Sequence, residues 1–393
     1  MLRFLTAGES HGQGLSVIIE GLPAGLPLSE DYIAADLRRR QGGYGRSRRQ
    51  EIEQDRAQII SGVRHGLTLG SPIALFIQNR DWENWREAMS VEPPEQPPER
   101  LTHLRPGHAD LPGVIKYGYD DVRPILERAS ARETAARVAV GAACRRLLEE
   151  FGVRIHSHSV AIGTVQARLE GEPDWHAVEA SPVRSADAKA EPAMIAAIDR
   201  ARKAGDSLGG VVEVRASGVP IGLGSHVHWD RRLDGRLAQA LMSIHAVKGV
   251  EIGGGFALAR LRGSRAHDVI LPADEWAGRP WRRATNRAGG TEGGMTNGED
   301  IVARAALKPI ATLPRALPSA DLRTGEGVRA HYERADVCVV PAAGVIAEAM
   351  LAIVLAEAAL EKFGGDSLVE TLRNYRAYLG TIGPREPPER PSQ

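Results

Sequence analysis

The chain has little cysteine, little aromatic character and no net charge, and each shortage excludes a class of protein. Two cysteines among 393 residues exclude a disulfide-rich scaffold and a four-cysteine zinc or iron–sulfur site within one chain. Fifty basic and fifty acidic residues cancel, so the positive excess typical of a nucleic-acid-binding protein is missing. The longest apolar stretch, residues 349–360, is interrupted by Glu357 and is shorter than the ~20 residues of a membrane span. The N terminus has no signal h-region. We therefore expect a cytoplasmic protein without a nucleic-acid or membrane partner.

Arginine and glycine are abundant in the chain. Only six of the fifty basic residues are lysines, and arginines cluster at residues 38–49 and 123–137. Arginine binds phosphate and carboxylate through two parallel hydrogen bonds, so the clusters indicate either a pocket for a small polyanion or solvated faces paired with acidic residues. Glycine-rich loops lie at 42–46, 205–210, 253–256 and 288–298. None matches GxGxxG after a strand or GxxxxGK[ST], so neither a Rossmann nicotinamide site nor a P-loop is indicated.

Short apolar runs and helical patterns alternate irregularly along the chain. The runs predict strands at 15–20, 57–63, 72–77, 153–162, 210–216, 301–307 and 337–340. Helices are predicted at 29–40, 131–151, 192–203, 229–242, 341–363 and 366–379. Residues 92–99 and 171–191 read as surface loops. This order favours a mixed α/β (α+β) sandwich, not a Rossmann fold. We expect one domain over residues 1–380 and a disordered tail over 381–393.

The GESHG segment and three histidine pairs resemble catalytic or metal-binding motifs, and each also has a simpler structural explanation. Residues 8–12, GESHG, fit the GxSxG nucleophile elbow of serine hydrolases, with Ser10 as the nucleophile. However, an elbow follows earlier sheet strands and an oxyanion loop, and only a short run precedes this one. The histidine pairs 103/108, 156/158 and 226/228 lack the neighbouring cysteine or carboxylate spacing of a metal site. His108 differs, because RPGHAD surrounds it with polar residues that suit proton transfer.

Eight ordered segments together resemble the chorismate synthase family, from about residue 4 to residue 367. They are GESHG (8–12), RRRQGGYGRSRRQEIEQD (38–55), RPGHADLPGVIKYGYDDVRPILERASARETAARVA (105–139), GDSLGGVVEV (205–214), MSIHAVKGVEIGGGF (242–256), NRAGGTEGGMTNGE (286–299), LKPIATL (307–313) and RADVCVVPAAGVIAEAM (334–350). Eight blocks in order are far more specific than any single motif.

The resemblance implies a fold and an activity. The fold would be a βαβ sandwich, usually assembled as a homotetramer. The enzyme would be a lyase acting in the shikimate pathway towards the aromatic amino acids. It would convert 5-enolpyruvylshikimate 3-phosphate into chorismate and phosphate by 1,4-anti elimination, with reduced FMN required but no net redox change. An external flavin reductase would supply the reduced FMN, and NADPH is the candidate external reductant.

The resemblance also assigns roles to matching residues. His11 would protonate the departing phosphate region, His108 would act near flavin N1, and Asp336 would work with flavin N5 in removing the C6 proton. Ser10 and Ser130 would support these groups by hydrogen bonds. The cofactor contacts would be Arg128, Ala129, Ser130, His245, Ala246, Gly293, Lys308, Pro309, Ile310, Ala311, Thr312 and Arg334. Substrate anions would be held by Arg40, Arg46, Arg49, Arg105 and Arg132, with Arg40 and Arg46 also linked to NADPH and Arg334 shared between substrate and cofactor. No metal is expected.

Some questions stay open at this point. His245 stands where glutamine or proline is expected, Thr296 where serine is usual, and Ala311 where proline is common. The rival functions are a flavin reductase or flavin-binding module without elimination activity, and the serine hydrolase. Whether the chain reduces its own FMN is undecided, and residues 81–104 suit either a lid or a subunit contact.

Overall fold

A layer of helices lies between two antiparallel sheets in this computed structural model, which describes residues 2–47, 54–96, 98–169, 171–272, 280–333 and 335–383. One sheet has four strands, in the order Arg3–Ala7, Gly14–Glu20, Ile73–Gln78 and Ala57–Ser61, and the other has five, in the order Val247–Ile252, Ile301–Leu307, Gly210–Ser217, Arg154–Ile162 and Val165–Gln166. The first sheet packs on helices Glu30–Gln41 and Thr134–Glu150, and the second packs on helices Val340–Phe363 and Leu233–Met242. This is the mixed sandwich that the sequence predicts, and no Rossmann sheet is present in the described residues.

The strands at 14–20, 73–78 and 301–307 largely alternate buried residues with exposed or half-buried ones, as strands of one-sided sheets do. The strands of the two main sheets are β1 Arg3–Ala7, β2 Gly14–Glu20, β3 Ala57–Ser61, β6 Ile73–Gln78, β7 Arg154–Ile162, β8 Val165–Gln166, β9 Gly210–Ser217, β10 Val247–Ile252 and β15 Ile301–Leu307. The described residues also form four two-stranded sheets: β4 Val63–Arg64 with β5 Leu67–Thr68, β11 Ile270–Pro272 with β12 Trp281–Arg283, β13 Thr291–Glu292 with β14 Met295–Thr296, and β16 Pro318–Ala320 with β17 Gly327–Arg329.

The helices differ widely in length and burial. Their bounds are α1 Glu30–Gln41, α2 Asp110–Tyr117, α3 Arg123–Arg128, α4 Thr134–Glu150, α5 Trp175–Ala180, α6 Glu191–Lys203, α7 Leu233–Met242, α8 Gly255–Leu258, α9 Gly263–Ala266, α10 Val340–Phe363 and α11 Leu368–Leu379. Short 3₁₀ turns occupy Arg80–Asn84, Ala131–Glu133 and Trp229–Arg231. Ser29 caps α1 by accepting from the Tyr32 amide, as its position before an acidic first turn predicts.

Helix α10 is the centre of the core. Its length and hydropathy would allow a membrane span, contrary to the expectation that no such segment exists, but 89% of the apolar window is buried inside the protein. It packs against α4 along small residues, and a Cβ at Gly141 of α4 would lie 2.3 Å from the Ala349 Cβ. The helix is therefore the buried middle of the sandwich, and glycine permits the close approach.

Several sequence predictions differ from the structure. The strand predicted at 337–340 is wrong: only Cys338 forms a bridge, to Leu208, and α10 begins at Val340 because Pro341 suits a first helical turn. The surface loop predicted at 171–191 contains helix α5 and buries Val183 and Arg184. Helices α2 and α3 and strand β10 were not expected. The tail beyond residue 383 lies outside the described residues, so its predicted disorder stays a prediction.

Candidate active site

A cleft of about 440 Å³ collects residues from distant parts of the chain. Its walls come from the loop after β1, the chain after α1, the segments flanking α2 and α3, the turns next to β10 and β15, and the start of α10. The sequence-predicted site residues that line it are Ser10, His11, Arg40, Arg46, Arg105, His108, Ala129, Ser130, Arg132, His245, Ala246, Lys308, Pro309, Ile310, Ala311, Thr312 and Asp336.

Four predicted residues are not among those that line the cleft. The exposed Arg128 donates instead to the backbone oxygens of Thr6 and Gly8. Gly293 forms the exposed turn between β13 and β14. Arg49 and Arg334 fall outside the described residues. The proposed contacts of these four residues with cofactor or substrate therefore remain predictions.

His11 is held at its Nδ1 atom by a buried carboxylate. Glu127 Oε1 lies 2.8 Å from Nδ1, and Glu127 Oε2 accepts from the His11 backbone N–H at 2.8 Å. The Glu127 side chain is completely buried. The imidazole also stacks on Trp85, with ring centroids 3.9 Å apart. The Nε2 edge is therefore the one available to the cleft.

The GESHG segment does not form a nucleophile elbow. An elbow joins a strand to a helix, whereas residues 8–13 connect the antiparallel strands β1 and β2. Ser10 is buried and its Oγ accepts a hydrogen bond from the Ser130 hydroxyl at 3.1 Å. Because the segment lacks the strand-to-helix geometry of an elbow, the structure offers no support for the serine hydrolase.

His108 is anchored in the same way on the other side of the cleft. Its Nδ1 bonds to Asp110 Oδ1, and the Arg105 guanidinium donates two further hydrogen bonds to that carboxylate, at 2.9 Å and 3.0 Å. Burial would raise the pKa of Asp110, but the bonds from His108 and Arg105 outweigh it and hold the pKa far below its usual range. Asp110 is thus a permanent anion that faces the imidazole.

A buried carboxylate also organises two arginines at the floor of the cleft. Asp55 accepts from Arg40 Nη2 at 2.7 Å and from Arg132 Nη1 at 2.5 Å. Burial opposes ionisation of Asp55, yet the two guanidinium groups keep its pKa below the usual value. Burial, together with the charges of Arg132 and Arg46, lowers the pKa of Arg40 to about 10. One anion therefore faces two cations, and positive charge remains for a ligand.

Asp336 lies four residues before the start of helix α10, and two hydrogen-bond donors hold its carboxylate. Arg46 Nη1 is 3.0 Å from Asp336 Oδ2, and the Ser47 backbone N–H donates to Asp336 Oδ1 at 2.6 Å. The side chains are 11% and 14% exposed. The carboxylate thus borders the cleft with an arginine that is itself a predicted anion ligand.

Three buried nitrogen atoms in the cleft wall have no partner among the described residues. They are Arg40 Nε, Arg46 Nε and His245 Nδ1. Next to His245, Ala246 adopts a left-handed backbone with φ of 68°, a strained conformation that tends to persist at functional sites. Burial, with the charges of Arg137 and His108, lowers the pKa of His245 below its usual value. Unsatisfied buried polar atoms of this kind are costly unless a ligand binds them.

Sequence reasoning missed the acidic residues behind the cleft. Glu127 and Asp55 both lie inside segments that resemble the family, but their spacing alone does not distinguish them from surface acids. Trp85 belongs to the Trp-bearing stretch that was interpreted as a lid or a subunit contact. Each of these residues contacts a partner far away in the chain, so the sequence carries no local signal for it.

A metal centre finds no support in the part of the chain that the structure describes, where no group of three histidine, cysteine or acidic residues comes together. His156 and His158 share a face of β7, as their spacing predicts, and both lie against Trp175. His158 is buried, because Trp175 of α5 covers that face and Glu213 bonds its Nε2.

Comparisons with known proteins agree with the geometry. The chorismate synthase family profile matches residues 2–360. A chorismate synthase of Moorella thermoacetica is 61% identical over 97% of this chain and all of its own length, and one of Streptomyces avermitilis is 55% identical over 97% and 98%. A crystal structure of chorismate synthase superposes with a TM-score of 0.79 at 47% identity and covers 97% of this chain and 98% of its own. This chain belongs to the chorismate synthase family.

Proposed function

We propose that the chain is a chorismate synthase, a lyase that converts 5-enolpyruvylshikimate 3-phosphate into chorismate and phosphate. In this 1,4-anti elimination the C3–O bond to phosphate breaks, a proton leaves C6, and a new C=C bond forms in the ring. The observation that carries the proposal is one cleft that combines four buried or nearly buried arginines, two carboxylate-anchored histidines and Asp336.

The charge of the cleft suits this substrate. The substrate carries one phosphate and two carboxylates, and Arg40, Arg46, Arg105 and Arg132 line the walls. Arginine forms planar paired hydrogen bonds with both kinds of anion. The free Nε atoms of Arg40 and Arg46 are donors that such an anion would satisfy. Arg49 and Arg334 join this set by resemblance alone.

Reduced FMN also fits the residues present. The cleft volume is in the range of ~300–1,000 Å³ that small-molecule sites occupy, and the unpartnered Nδ1 of His245 offers a polar contact to a flat ring. We propose that Ala129, Ser130, His245, Ala246 and the segment from Lys308 to Thr312 hold it. Arg128, Gly293 and Arg334 are further proposed contacts. When bound, reduced FMN supplies the electron-rich ring that the elimination requires without net redox change.

The side chains of the cleft would then handle the protons. His11 Nε2 would donate a proton to the departing phosphate, since Glu127 binds its Nδ1. His108 Nε2 would hold a proton beside the flavin, with Asp110 behind it. The Asp336 carboxylate would accept the proton lost from C6, and Ser10 and Ser130 would hold the hydrogen-bonded wall next to His11. Groups in these positions contribute ~10²–10⁴-fold to a rate.

Family resemblance alone supports the rest of the proposal. It comprises a homotetramer, a cytoplasmic location, a single domain over residues 1–380, and FMN reduced by an external flavin reductase with NADPH as the candidate reductant. The rival function, a flavin reductase or flavin-binding module without elimination activity, would be indicated by NADPH consumption without chorismate formation.

The test is anaerobic incubation of the protein with 5-enolpyruvylshikimate 3-phosphate and chemically reduced FMN, with chorismate followed by absorbance. We expect chorismate with reduced FMN and none with FMN omitted. Folded protein that binds FMN but makes no chorismate would overturn the proposal. The Lys308→Ala variant should weaken FMN binding more than substrate binding, with the exposed Lys248→Ala as control. Equal loss of both ligands would contradict the role of Lys308.

A further inference from the structure

We propose that Glu127 and Trp85 are positioning residues that fix the imidazole of His11 in one orientation and one tautomer, with Nε2 directed to the substrate. The inference rests on the proposed function for its kinetic consequences, but its structural part does not. It goes beyond the roles that the resemblance assigns, because neither residue is among the expected site residues.

Glu127 grips His11 at two points. One carboxylate oxygen lies 2.8 Å from Nδ1, and the other accepts from the His11 backbone N–H at 2.8 Å. The Glu127 carbonyl oxygen accepts from the Ser10 amide at 3.1 Å. Rotation of the ring about its Cβ–Cγ bond would place carbon Cδ2 against the carboxylate and lose the first bond. The backbone and ring of His11 are therefore held by one side chain.

The carboxylate also selects the tautomer. An ionised carboxylate only accepts hydrogen bonds, so Nδ1 must carry a hydrogen atom. In the neutral imidazole, Nε2 is then the unprotonated nitrogen, and in the protonated imidazole Nε2–H is the free donor. A second residue that fixes the tautomer in this way is a known requirement where histidine transfers protons.

Glu127 is in turn balanced by Arg123. Arg123 Nη1 is 3.3 Å from Glu127 and 2.7 Å from Glu333. Burial would raise the pKa of Glu333, but His331, Arg123 and His11 lower it to about 2. Among the described residues, Glu127 bonds His11 directly, and Arg123 links Glu127 to Glu333 behind it.

Trp85 covers a face of the same imidazole. The rings are stacked at 3.9 Å with an interplanar angle of 24°. Trp85 is itself held, because its indole N–H donates to Asp81 at 3.2 Å and the Arg123 guanidinium lies 5.2 Å from the ring centroid. The stack limits tilting of the imidazole and keeps water from that face.

The kinetic test compares matched variants. Glu127→Gln replaces two acceptor oxygens by one acceptor and one donor, so it cannot satisfy both His11 donors. We expect kcat to fall ~10²-fold with KM for the substrate changed less than about threefold, because orientation and not binding is lost. Glu149→Gln, at a carboxylate that bonds Tyr32 outside the cleft, is the control and keeps kcat. A kcat within threefold of wild type would overturn the role of Glu127.

A separate set of variants tests the role of Trp85. Trp85→Ala should lower kcat at least tenfold, and Trp85→Phe should restore most of it because an aromatic face remains. Trp82→Ala is the control, since Trp82 lies in the same turn but has no stacking contact with His11. If Trp85→Ala and Trp82→Ala had equal effects, stacking would not be what positions His11. This pair also tests the inference should Glu127→Gln not fold.

A spectroscopic readout separates this inference from the proposed function. In protein labelled with ¹⁵N-histidine, with His11 assigned by a His11→Asn variant, the neutral ring should carry its proton on Nδ1. Glu127→Gln should shift the proton to Nε2. The same tautomer in both proteins, or an Nε2 proton in the wild type, would overturn the inference even if chorismate is made. An Nδ1 proton in the wild type that is lost in the variant would support it even if no chorismate is made.

Discussion

Arg46 Nη1 and Asp336 Oδ2 form an ion pair of 3.0 Å at the edge of the cleft. Arg46 is a proposed binder of substrate anions, and Asp336 is the proposed base. The same Arg46 has an Nε atom without a partner among the described residues. Arg46 can therefore bind a substrate anion with Nε while its Nη1 atom holds the carboxylate of Asp336. Binding of substrate and placement of the base become linked through one guanidinium.

This link predicts different outcomes for two substitutions of Arg46. Arg46→Ala should lower kcat/KM by ~10²-fold or more, because it removes an anion contact and frees the Asp336 side chain. Arg46→Lys should recover part of KM but little of kcat, since a point charge cannot make the two-pronged contact. Steady-state kinetics with reduced FMN measures both. Full recovery of kcat by lysine would contradict the geometric role.

Substitution of the three proposed proton-transfer residues should lower the rate, whereas substitution of a histidine outside the cleft should not. His11→Ala, His108→Ala and Asp336→Asn should each lower kcat by ~10²–10⁴-fold with the fold intact, the range of general acid–base groups. His226→Ala, at an exposed histidine away from the cleft, serves as the control and should keep the wild-type rate. If kcat fell by less than about tenfold in any of the three variants, that residue would not take part in the proposed proton transfers.

Buried ion pairs predict a loss of stability in acid. Burial would raise the pKa of Glu213, but His158, Arg215 and Arg304 lower it from 4.5 to about 2. Because the folded pKa is the lower one, this stabilisation is fully present above pH 4.5 and is lost as the pH falls towards 2. The melting temperature should therefore fall across that window. The fall should be shallower in Glu213→Gln than in Glu83→Gln, at a surface glutamate; equal slopes would contradict the assignment.

Two glycine-to-alanine changes should have opposite effects on stability, because Gly141 lies at the contact of α4 with α10 and Gly235 lies on an open helix surface. Gly141→Ala would place a Cβ 2.3 Å from the Ala349 Cβ, and overpacking of this kind costs ~1–3 kcal/mol. Gly235→Ala, on the exposed side of α7 with no atom within 4 Å, should stabilise by up to ~1 kcal/mol through helix propensity. Denaturant unfolding measures both. A neutral Gly141→Ala would show that the two helices can move apart freely.

The fold could be predicted in part because most long elements have a clear pattern. Helix α10 was expected from residue 341 because Pro341 and Gly364 bracket an apolar stretch, and it begins one residue earlier. Strand β15 was expected over its observed residues because apolar residues mark its buried face. By contrast, α2 and α3 are short and carry polar residues whose burial depends on the cleft. The strand predicted at 337–340 failed because β-branched residues there pack into tertiary contacts without pairing in a sheet.

The candidate site shows the same division. The histidines, arginines and lysine could be named from motifs, but the carboxylates that organise them could not. Glu127 and Asp55 act on His11 and Arg132 across 116 and 77 residues of chain. Only the folded backbone brings those groups together, so no local spacing could have identified them.

The most direct test of the account is the stoichiometry of one anaerobic reaction with a catalytic amount of reduced FMN. A chorismate synthase should form chorismate and phosphate in equal amounts, over many turnovers for each FMN, with the flavin still reduced at the end. The His11→Ala protein should form product far more slowly under the same conditions. Phosphate release without chorismate, or oxidation of one flavin for each substrate consumed, would contradict the proposed elimination.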